Sequence, residues 1–373
     1  MQVLYEGAIF EICPVGGIAR YFCDVINRLP ETIAVEVLAP MEANVAFTND
    51  QVVVRRVRTV APIKLVRSFW RKRQHRRIAE QMDAQPADLI HWTYYTGLCR
   101  RPIGRLQLPN VITVHDFIHE SFPELDPSGE HSFWKRQAIE AADRICCNSQ
   151  TTYEQLCERF PNAASRASVT MLGNSFVKVE AAPIMPQFVD RPYVMFVGRR
   201  ECYKNFDVLV KAWQSIRSRE PELALVVVGS PLKRREASRL GIRGDDRGII
   251  QLGYVDDRVL KSLYQHSRAF VFPSKEEGFG LPALEAMESG AAVIASSCAS
   301  LREVLGNAGH FFDADDVDSL ADLLVLAAQN DLPDYETKRE LGRERAAELT
   351  WEKTTAQTVA VYRELSDPAF SRS

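Results

Sequence analysis

Short apolar runs alternate with segments of helical periodicity along most of the chain. In the first half, the predicted strands are Val3–Tyr5, Val35–Ala39, Val52–Val57, Leu89–Trp92, Val111–His115, Ile145–Asn148 and Val169–Leu172. In the second half, they are Tyr193–Val197, Ala224–Val228, Ile249–Leu252, Phe270–Phe272, Val293–Ser296 and His310–Phe312. Most of these runs are short and continuously apolar, which is typical of parallel strands buried on both faces.

Helical segments separate these strands. Apolar side chains recur at helical spacing over Gly17–Leu29, between the first two strands. Further helices are predicted at Phe206–Arg219, Asp257–His266, Pro282–Ser289, Val317–Ala328 and Trp351–Leu365. The alternation of strands and helices in both halves predicts an α/β protein with two doubly wound, Rossmann-like domains.

The length of 373 residues suits two domains better than one core. The proline-bearing segment Val177–Pro192 is the predicted link. We therefore expect an N-terminal domain at 1–180, a C-terminal domain at 181–350 and a terminal helix at 351–373. In open α/β sheets, ligands bind outside the carboxyl ends of the strands, so the residues that follow each strand become the candidate site.

Composition narrows the class of protein. A net charge of −3 gives no strong field that would attract nucleic acid, and no nucleic-acid partner is expected. The eight cysteines are scattered without a CxxC pair, which favours reduced cytosolic thiols over disulfides or a zinc site. The N-terminus resembles a first strand more than a signal peptide, and no apolar run reaches 18 residues. These features predict a cytoplasmic protein.

Gly16 and Gly17 precede the first long helix. A glycine pair lets the backbone approach a phosphate, and the helix N-terminus supplies N–H groups. A tight turn without a ligand explains the pair equally well. The pair does not form a GxGxxG fingerprint, which weakens a nicotinamide-binding interpretation.

Cations follow the first strand of the second half, in the segment Gly198–Asn205. Arg199 and Lys204 are close enough to clamp a diphosphate, because Arg can bind two oxygens at once and Lys acts as a point charge. Solvated surface charge is the competing interpretation.

Two carboxylates flank a glycine-bearing turn in the string Glu277-Gly-Phe-Gly-Leu-Pro-Ala-Leu-Glu285. Pro282 suits the first turn of a helix, and the two glycines leave backbone amides open to phosphate or sugar oxygens. Each carboxylate can accept two hydroxyl hydrogen bonds, as a ribose diol or a pyranose requires. Acidic residues favoured by the helix dipole would explain only part of the string.

This string resembles the E-x7-E motif of glycosyltransferase family 4, whose members are retaining enzymes of the GT-B fold. Gly16-Gly17, then Arg199 with Lys204, then the acidic motif occur in that family's order and spacing, and the likeness extends to about Arg363. The resemblance implies two Rossmann-like domains that face each other across a cleft, a nucleoside diphosphate sugar as donor and no required metal or cofactor.

The resemblance also implies a role for each matching residue. Arg199, Lys204 and Gly17 would bind the donor diphosphate, and Glu285 would bind the ribose. Glu277 and the amides of Gly278, Phe279, Gly280 and Leu281 would bind the transferred sugar, and Val255 would lie beside the base. The terminal helix would cross back to the first domain.

His115 ends a predicted strand, and in the family a histidine here lies near the donor sugar. The string His115-Asp-Phe-Ile-His119-Glu120 also suggests a metal site, but two histidines four apart share a face only on a helix. A structural role for His115 is the third possibility. His119 and Glu120 could line the acceptor side.

Basic residues interleaved with apolar ones fill Lys64–Arg77. A basic amphipathic helix can lie on an anionic membrane, at about 1 kcal/mol per basic residue near the surface. A solvated helix face is the alternative.

The strings VGGIARYF and VHDFIHESFP resemble bacterial mannosyltransferases of O-antigen and capsule assembly. This resemblance favours GDP-mannose as donor and a saccharide or lipid-linked saccharide as acceptor, with UDP- and dTDP-sugars still open. Three other classes also stay open: a nucleotide-sugar epimerase of GT-B architecture, a dinucleotide-dependent oxidoreductase and a non-catalytic nucleotide-sugar-binding protein.

Overall fold

The computed structural model describes residues 1–43, 45, 47–59, 67–83, 87–103, 108–242 and 246–367, without the side chains at 67–72, 81 and 83. The chain divides into two compact units. The first comprises Met1–Gly173 together with Trp351–Ser373, and the second comprises Asn174–Thr350. The predicted link Val177–Pro192 therefore lies within the second unit.

The first unit contains a parallel sheet and its helices. The strands are β1 (Gln2–Glu6), β2 (Ala34–Pro40), β3 (Val52–Val57), β4 (Leu89–Trp92), β5 (Thr96–Gly97), β6 (Arg101–Pro102), β7 (Asn110–Val114), β8 (Arg144–Cys147) and β9 (Ala167–Val169). The helices are α1 (Ile9–Ile12), α2 (Gly17–Asn27), α3 (Arg67–Asp83), α4 (Ile118–Ser121), α5 (Glu130–Ala141) and α6 (Gln150–Arg159), with a terminal helix described below.

The second unit repeats this organisation. Its strands are β10 (Tyr193–Val197), β11 (Ala224–Val228), β12 (Ile249–Gly253), β13 (Ala269–Phe272), β14 (Val293–Ser296) and β15 (Gly309–Phe312). Its helices are α7 (Phe206–Ser215), α8 (Arg234–Arg239), α9 (Asp257–His266), α10 (Leu281–Glu288), α11 (Ala299–Leu305), α12 (Val317–Ala328) and α13 (Tyr335–Glu348). The last helix, α14 (Trp351–Ser366), returns to the first unit.

Each unit has a doubly wound parallel sheet over its described residues. The strand order is β3-β2-β1-β4-β7-β8-β9 in the first and β12-β11-β10-β13-β14-β15 in the second. In each order the direction of winding reverses beside one strand, at β1/β4 and at β10/β13. The predicted α/β class with two Rossmann-like sheets is therefore confirmed.

Burial explains why the strand predictions succeeded. Strands such as β4, β7 and β11 are buried at every position, so their sequences are continuously apolar or nearly so. Trp92 anchors one core of the first unit, and Trp213 anchors the core between the second sheet and its helices. The predicted strand Val169–Leu172 is shifted, because β9 covers Ala167–Val169 at the edge of the sheet.

Helix α14 packs on the first sheet through a buried hydrogen-bonded network. The Tyr362 hydroxyl lies 2.6 Å from the Tyr5 hydroxyl on β1 and 2.6 Å from Nδ1 of His91 on β4. His91 Nε2 lies 2.9 Å from the Thr113 hydroxyl on β7. Polar atoms from three strands thus find partners within the core, as buried polar groups require.

Candidate functional site

The loops after β10 and β13 meet at the winding reversal of the second sheet. The two strands are hydrogen-bonded neighbours, and both loops leave from their carboxyl ends. The first loop carries Arg199 and Lys204, and the second carries Glu277. Open α/β sheets bind ligands at this position.

An ion pair joins the two loops. Lys204 Nζ lies 2.7 Å from Glu277 Oε1, and both side chains are largely buried. The backbone N–H of Lys275 donates to the carbonyl of Tyr203 at 2.7 Å, which adds a second connection. The Lys204 ammonium also lies 5.4 Å from the centre of the Phe272 ring. The structure thus brings together two residues that are 73 positions apart in the sequence.

The two adjacent arginines after β10 have different environments. The Arg199 side chain is 63% exposed, and its Nη1 lies 3.5 Å from Glu201 Oε1. The Arg200 side chain is 5% exposed and lies 2.7 Å from Glu236. Arg200 also donates to the Ser230 carbonyl at 2.6 Å. Arg199 therefore presents its charge to solvent, whereas Arg200 fastens the loop after β10 to the loop after β11.

The start of α10 depends on glycine. Gly280 has a φ of +107°, and a Cβ at this position would lie 2.7 Å from Leu301 Cδ2. Pro282 occupies the first turn, where its missing N–H costs nothing. Gly278 and Phe279 are buried, and Leu281 is half-buried. The first-turn amides of a helix have no acceptor within the helix, so this point can bind an anion or a hydroxyl oxygen.

The second carboxylate of the motif lies within α10. Glu285 is buried on this helix, and its backbone carbonyl accepts from the Ser289 hydroxyl at 2.8 Å. Val255 follows β12 and is half-buried, next to the exposed Tyr254. A backbone bond of 2.8 Å from Gly229 to Gly253 aligns the carboxyl ends of β11 and β12. Val255 thus lies at the same sheet edge as the Lys204–Glu277 pair, whereas Glu285 lies in the second turn of α10.

The glycine pair of the first unit opens α2. Gly17 is the first residue of the helix, and Gly16 precedes it in an extended conformation with φ 169°. Both glycines are exposed, as is the neighbouring Val15. The exposed backbone therefore presents the amino end of an 11-residue helix to solvent.

His115 follows β7 and is 6% exposed. Its ring meets the Tyr21 ring edge-on, with centroids 5.4 Å apart. Burial lowers the pKa of His115 to about 4, with Lys135 acting in the same direction and Asp116 opposing. The imidazole is therefore neutral at pH 7. Its Nε2 is buried without a hydrogen-bond partner in the described part of the chain.

His119 and Glu120 lie on the single turn α4. Oε2 of Glu120 lies 2.8 Å from Nζ of Lys135, which also donates to the Asp116 carbonyl at 3.0 Å. The His119 ring stacks on His131 with centroids 3.8 Å apart. Glu120 is therefore already paired.

The sequence reasoning missed Lys135. This lysine is completely buried on α5, a position that the sequence pattern does not distinguish from an ordinary helix-surface lysine. Its ammonium lies 5.1 Å from the Phe117 ring centre and 5.3 Å from the Tyr95 ring centre. Only the packing of α4 and α5 reveals that Lys135 holds the residues after β7, through its bonds to Asp116 and Glu120.

Neither a metal cluster nor a membrane span is found among the described residues. The search for three or more grouped His, Cys, Asp or Glu side chains finds none there. No described helix is long and apolar enough to cross a bilayer. The basic segment Lys64–Arg77 lies partly outside the described residues. Its later part forms the beginning of α3, of which the side chains at 67–72 are not described.

Family models match both units. The model "Glycosyltransferase Family 4" matches residues 15–173, and "Glycosyl transferases group 1" matches residues 191–330. The O-antigen chain mannosyltransferase B of Escherichia coli is 32% identical over 268 residues, which are 68% of this chain and 70% of that protein. The serotype-specific mannosyltransferase WbdA of Escherichia coli is 26% identical over 273 residues, but the match spans only 33% of its length.

Solved structures show the same architecture. The sucrose-phosphate synthase of Thermosynechococcus elongatus superposes with a TM-score of 0.74 at 21% identity, over 98% of both chains. The structural likeness agrees with the two doubly wound sheets. The ranges matched by the two family models include Gly16-Gly17, Arg199 and Glu277–Glu285. This chain therefore belongs to glycosyltransferase family 4 and has the GT-B fold.

Proposed function

We propose that this glycosyltransferase transfers mannose from GDP-mannose to a saccharide or lipid-linked saccharide, with retention of anomeric configuration, in bacterial surface polysaccharide synthesis. The mannosyltransferase relatives support the choice of sugar. The Lys204–Glu277 contact of 2.7 Å is the observation that carries the proposal, because it unites a phosphate-binding cation with a hydroxyl-binding carboxylate.

In this proposal, Arg199 and Lys204 bind the donor diphosphate. The leaving diphosphate gains negative charge as the glycosidic bond to phosphate breaks, and fixed cations stabilise that charge. The exposed Arg199 side chain can reach a ligand in solvent, whereas the Lys204 ammonium is already fixed by Glu277. We assign phosphate binding also to the amides at Gly16 and Gly17.

The acidic motif takes the sugar and the nucleoside. Glu277 and the amides from Gly278 to Leu281 bind hydroxyls of the transferred hexose, and Glu285 binds the ribose diol. Val255 lies beside the base. Burial of both carboxylates supports these roles, because hydrogen bonds to a desolvated carboxylate are stronger than those in water.

The reaction needs no nucleophilic side chain. The acceptor oxygen attacks the anomeric carbon on the face from which the diphosphate departs, and a diphosphate oxygen takes the acceptor proton. Neutral His115 then serves as a hydrogen-bond partner for the sugar. His119 and the Lys135-bound Glu120 are proposed to lie on the acceptor side. No metal is required, so a chelator should leave transfer unchanged.

The basic segment Lys64–Arg77 is proposed to hold the protein at the cytoplasmic face of the membrane. Cosedimentation with vesicles tests this role separately. Binding to vesicles with 30% anionic lipid, at about 0.1 M salt, should disappear at 1 M salt because surface charges are then screened. Equal binding to neutral vesicles would contradict it.

The donor is tested with a panel of GDP-, UDP- and dTDP-sugars. GDP-mannose should raise the melting temperature most, because a ligand that binds the native state stabilises it by mass action. Transfer to mannose oligosaccharides is then followed by NMR, which reads the anomeric configuration of the new bond. An inverted product would refute retention.

Two other outcomes identify the rival classes. Isomerisation of the donor sugar without an acceptor would identify an epimerase. Donor binding without turnover on any acceptor would favour a non-catalytic binding protein. If no nucleotide sugar shifts the melting temperature, the donor site itself is wrong.

A further inference from the structure

Two residues of the first unit follow neighbouring strands at the carboxyl edge of its sheet. Strands β7 and β8 are parallel neighbours, and Val114 at the end of β7 is in register with Cys147 at the end of β8. The next residue on each strand is His115 and Asn148, respectively. Continued by one residue, this register makes the two positions neighbours where the chain leaves each strand.

Both side chains are buried, and each has an unpaired polar atom. His115 is 6% exposed and Asn148 is 4% exposed. His115 Nε2 and Asn148 Oδ1 have no hydrogen-bond partner among the described residues. A buried polar group without a partner destabilises the native state. Native proteins retain such groups where a ligand or ordered water supplies the missing partner.

Two polar side chains close to the pair in the sequence are bonded within the protein. Thr113, two residues before His115, lies 2.9 Å from His91 Nε2. Ser149, next to Asn148, lies 2.9 Å from the Thr152 hydroxyl and caps α6. The unpaired atoms of His115 and Asn148, like Thr170 Oγ1 after β9, therefore lie at the edge where α/β sheets bind ligands.

The chemistry of the pair selects its ligand. Asparagine carries no charge, and the imidazole of His115 is neutral at pH 7 because burial lowers its pKa to about 4. A carboxamide oxygen accepts a hydrogen bond, and a neutral imidazole nitrogen can accept or donate one. Two adjacent neutral groups of this kind suit hydroxyls better than a phosphate, which requires cations or amides.

We propose that Asn148 forms, with His115, a hydroxyl-binding pair for a saccharide substrate. This inference rests on the proposed function and extends it to a residue that the sequence motifs did not indicate. The saccharide is either the donor hexose or the acceptor, and both present the same hydroxyl chemistry. Asn148 is thus a substrate-binding residue of the first unit.

The test is Asn148→Leu, which keeps the size of the side chain and removes its polar atoms. We expect kcat/KM for transfer to fall roughly tenfold to a hundredfold, the cost of about one buried hydrogen bond or two. The melting temperature should stay the same or rise, because an unpaired polar atom has been removed. Binding of free GDP should not change, since the pair contacts only the sugar.

Asn110→Leu is the matched control. Asn110 lies at the opposite end of β7, and its amide nitrogen donates to the Ala141 carbonyl at 3.2 Å and to Asp143 at 2.9 Å. Its substitution should lower the melting temperature and leave kcat/KM per folded molecule unchanged. A structural role for Asn148 would give the same result in Asn148→Leu, and would overturn the proposal.

Separate measurements with donor and with acceptor show which of the two substrates carries the hydroxyls that bind the pair. A raised KM for GDP-mannose and slower hydrolysis without acceptor indicate the donor hexose, whereas a raised acceptor KM alone indicates the acceptor. Saturation-transfer NMR with GDP-mannose and with a mannose oligosaccharide reads binding without turnover. Saccharide signals that the wild type shows and Asn148→Leu loses support the pair, whether or not the wild type catalyses transfer. If the wild type binds the saccharide but transfers nothing, only the proposed function fails. Unchanged signals and kinetics overturn the pair.

Discussion

Arg199 and Arg200 are adjacent in the sequence but differ twelvefold in side-chain exposure, 63% against 5%. Arg199→Ala should leave stability within about 0.5 kcal/mol, because exposed ion pairs contribute little. It should weaken GDP binding by roughly tenfold or more, since it removes a cation proposed to bind the diphosphate. Calorimetric titration with GDP measures this effect.

Arg200→Ala is the contrasting variant. It leaves Glu236 without its partner and the Ser230 carbonyl without its donor, so we expect a loss of about 3 kcal/mol of unfolding free energy in urea. If Arg199→Ala instead destabilises the protein and binds GDP normally, the assignment of the two arginines is reversed.

The proposed sugar-binding role of Glu277 can be distinguished from its ion pair with Lys204. Glu277→Gln keeps the shape of the side chain and removes the charge that lies 2.7 Å from Lys204. Transfer should slow by about a hundredfold, a typical cost of losing one transition-state contact. GDP should bind equally well or more tightly, because the Lys204 ammonium no longer has a competing carboxylate.

Glu276→Gln makes the same charge change at the preceding residue and serves as the control for this variant. Stopped assays with labelled GDP-mannose give the rates. Equal transfer by Glu277→Gln and the wild type, or a loss of GDP binding, would show that Glu277 does not contact the sugar.

At the scale of elements, α14 depends on its polar contacts as well as on apolar burial. Tyr362→Phe removes the hydroxyl that lies 2.6 Å from both the Tyr5 hydroxyl and His91 Nδ1. Two buried polar groups lose a partner, so the free energy of unfolding should fall by about 1–3 kcal/mol. Urea denaturation checks this value.

Tyr254→Phe serves as the control for the tyrosine substitution, because Tyr254 is exposed and should lose no stability. Equal midpoints in urea for both variants would mean that the buried network contributes nothing.

Strands that are buried on both faces were predictable from the sequence, because a short, continuously apolar run does not show the spacing of an amphipathic helix. Strands β4, β10, β11 and β14 have the predicted bounds. The hairpin of β5 and β6 was missed, since it depends on positive φ angles at Cys99 and Arg100, residue types that do not signal such a turn. The motif loops were predictable from glycines and charges.

The burial of Arg200, Lys135 and Asn148 was not predictable from the sequence, because it depends on which neighbouring elements cover each side chain.

At the scale of the whole molecule, buried histidines make stability depend on pH. Burial lowers the pKa of His91 to about 3 and that of His115 to about 4, from about 6.5. Burial also lowers the pKa of His131 and His310, to about 3 and about 4. The native state therefore binds fewer protons than the unfolded state below pH 6.5. The stability that these neutral rings provide is lost as pH falls from 6.5 toward 4.

Glu6 opposes this trend. Burial raises its pKa to about 7, although Arg101 acts in the other direction, so its contribution is present below about pH 4.5 and is lost as pH rises toward 7. Each group changes stability by at most about 1.4 kcal/mol per pH unit. The four histidines outnumber Glu6 and Glu36, the two carboxyls whose pKa burial raises, so the unfolding free energy should fall between pH 6.5 and pH 5.

Urea denaturation at half-unit pH steps measures this slope. His91→Gln should flatten it, because glutamine has no proton to gain. Stability that rises on acidification would show that Glu6 dominates.

The second unit begins and ends at one place. The backbone N–H of Asn174 donates to the carbonyl of Leu349 at 2.9 Å, so the first residue of a 177-residue stretch is hydrogen-bonded to its last residue but one. Because its two ends are adjacent, this stretch can be regarded as an insertion into the first unit. A recombination event that replaced the whole stretch would leave the flanking residues of the first unit in place. Under the proposed function, such an exchange would combine a new donor specificity with an existing acceptor-binding unit.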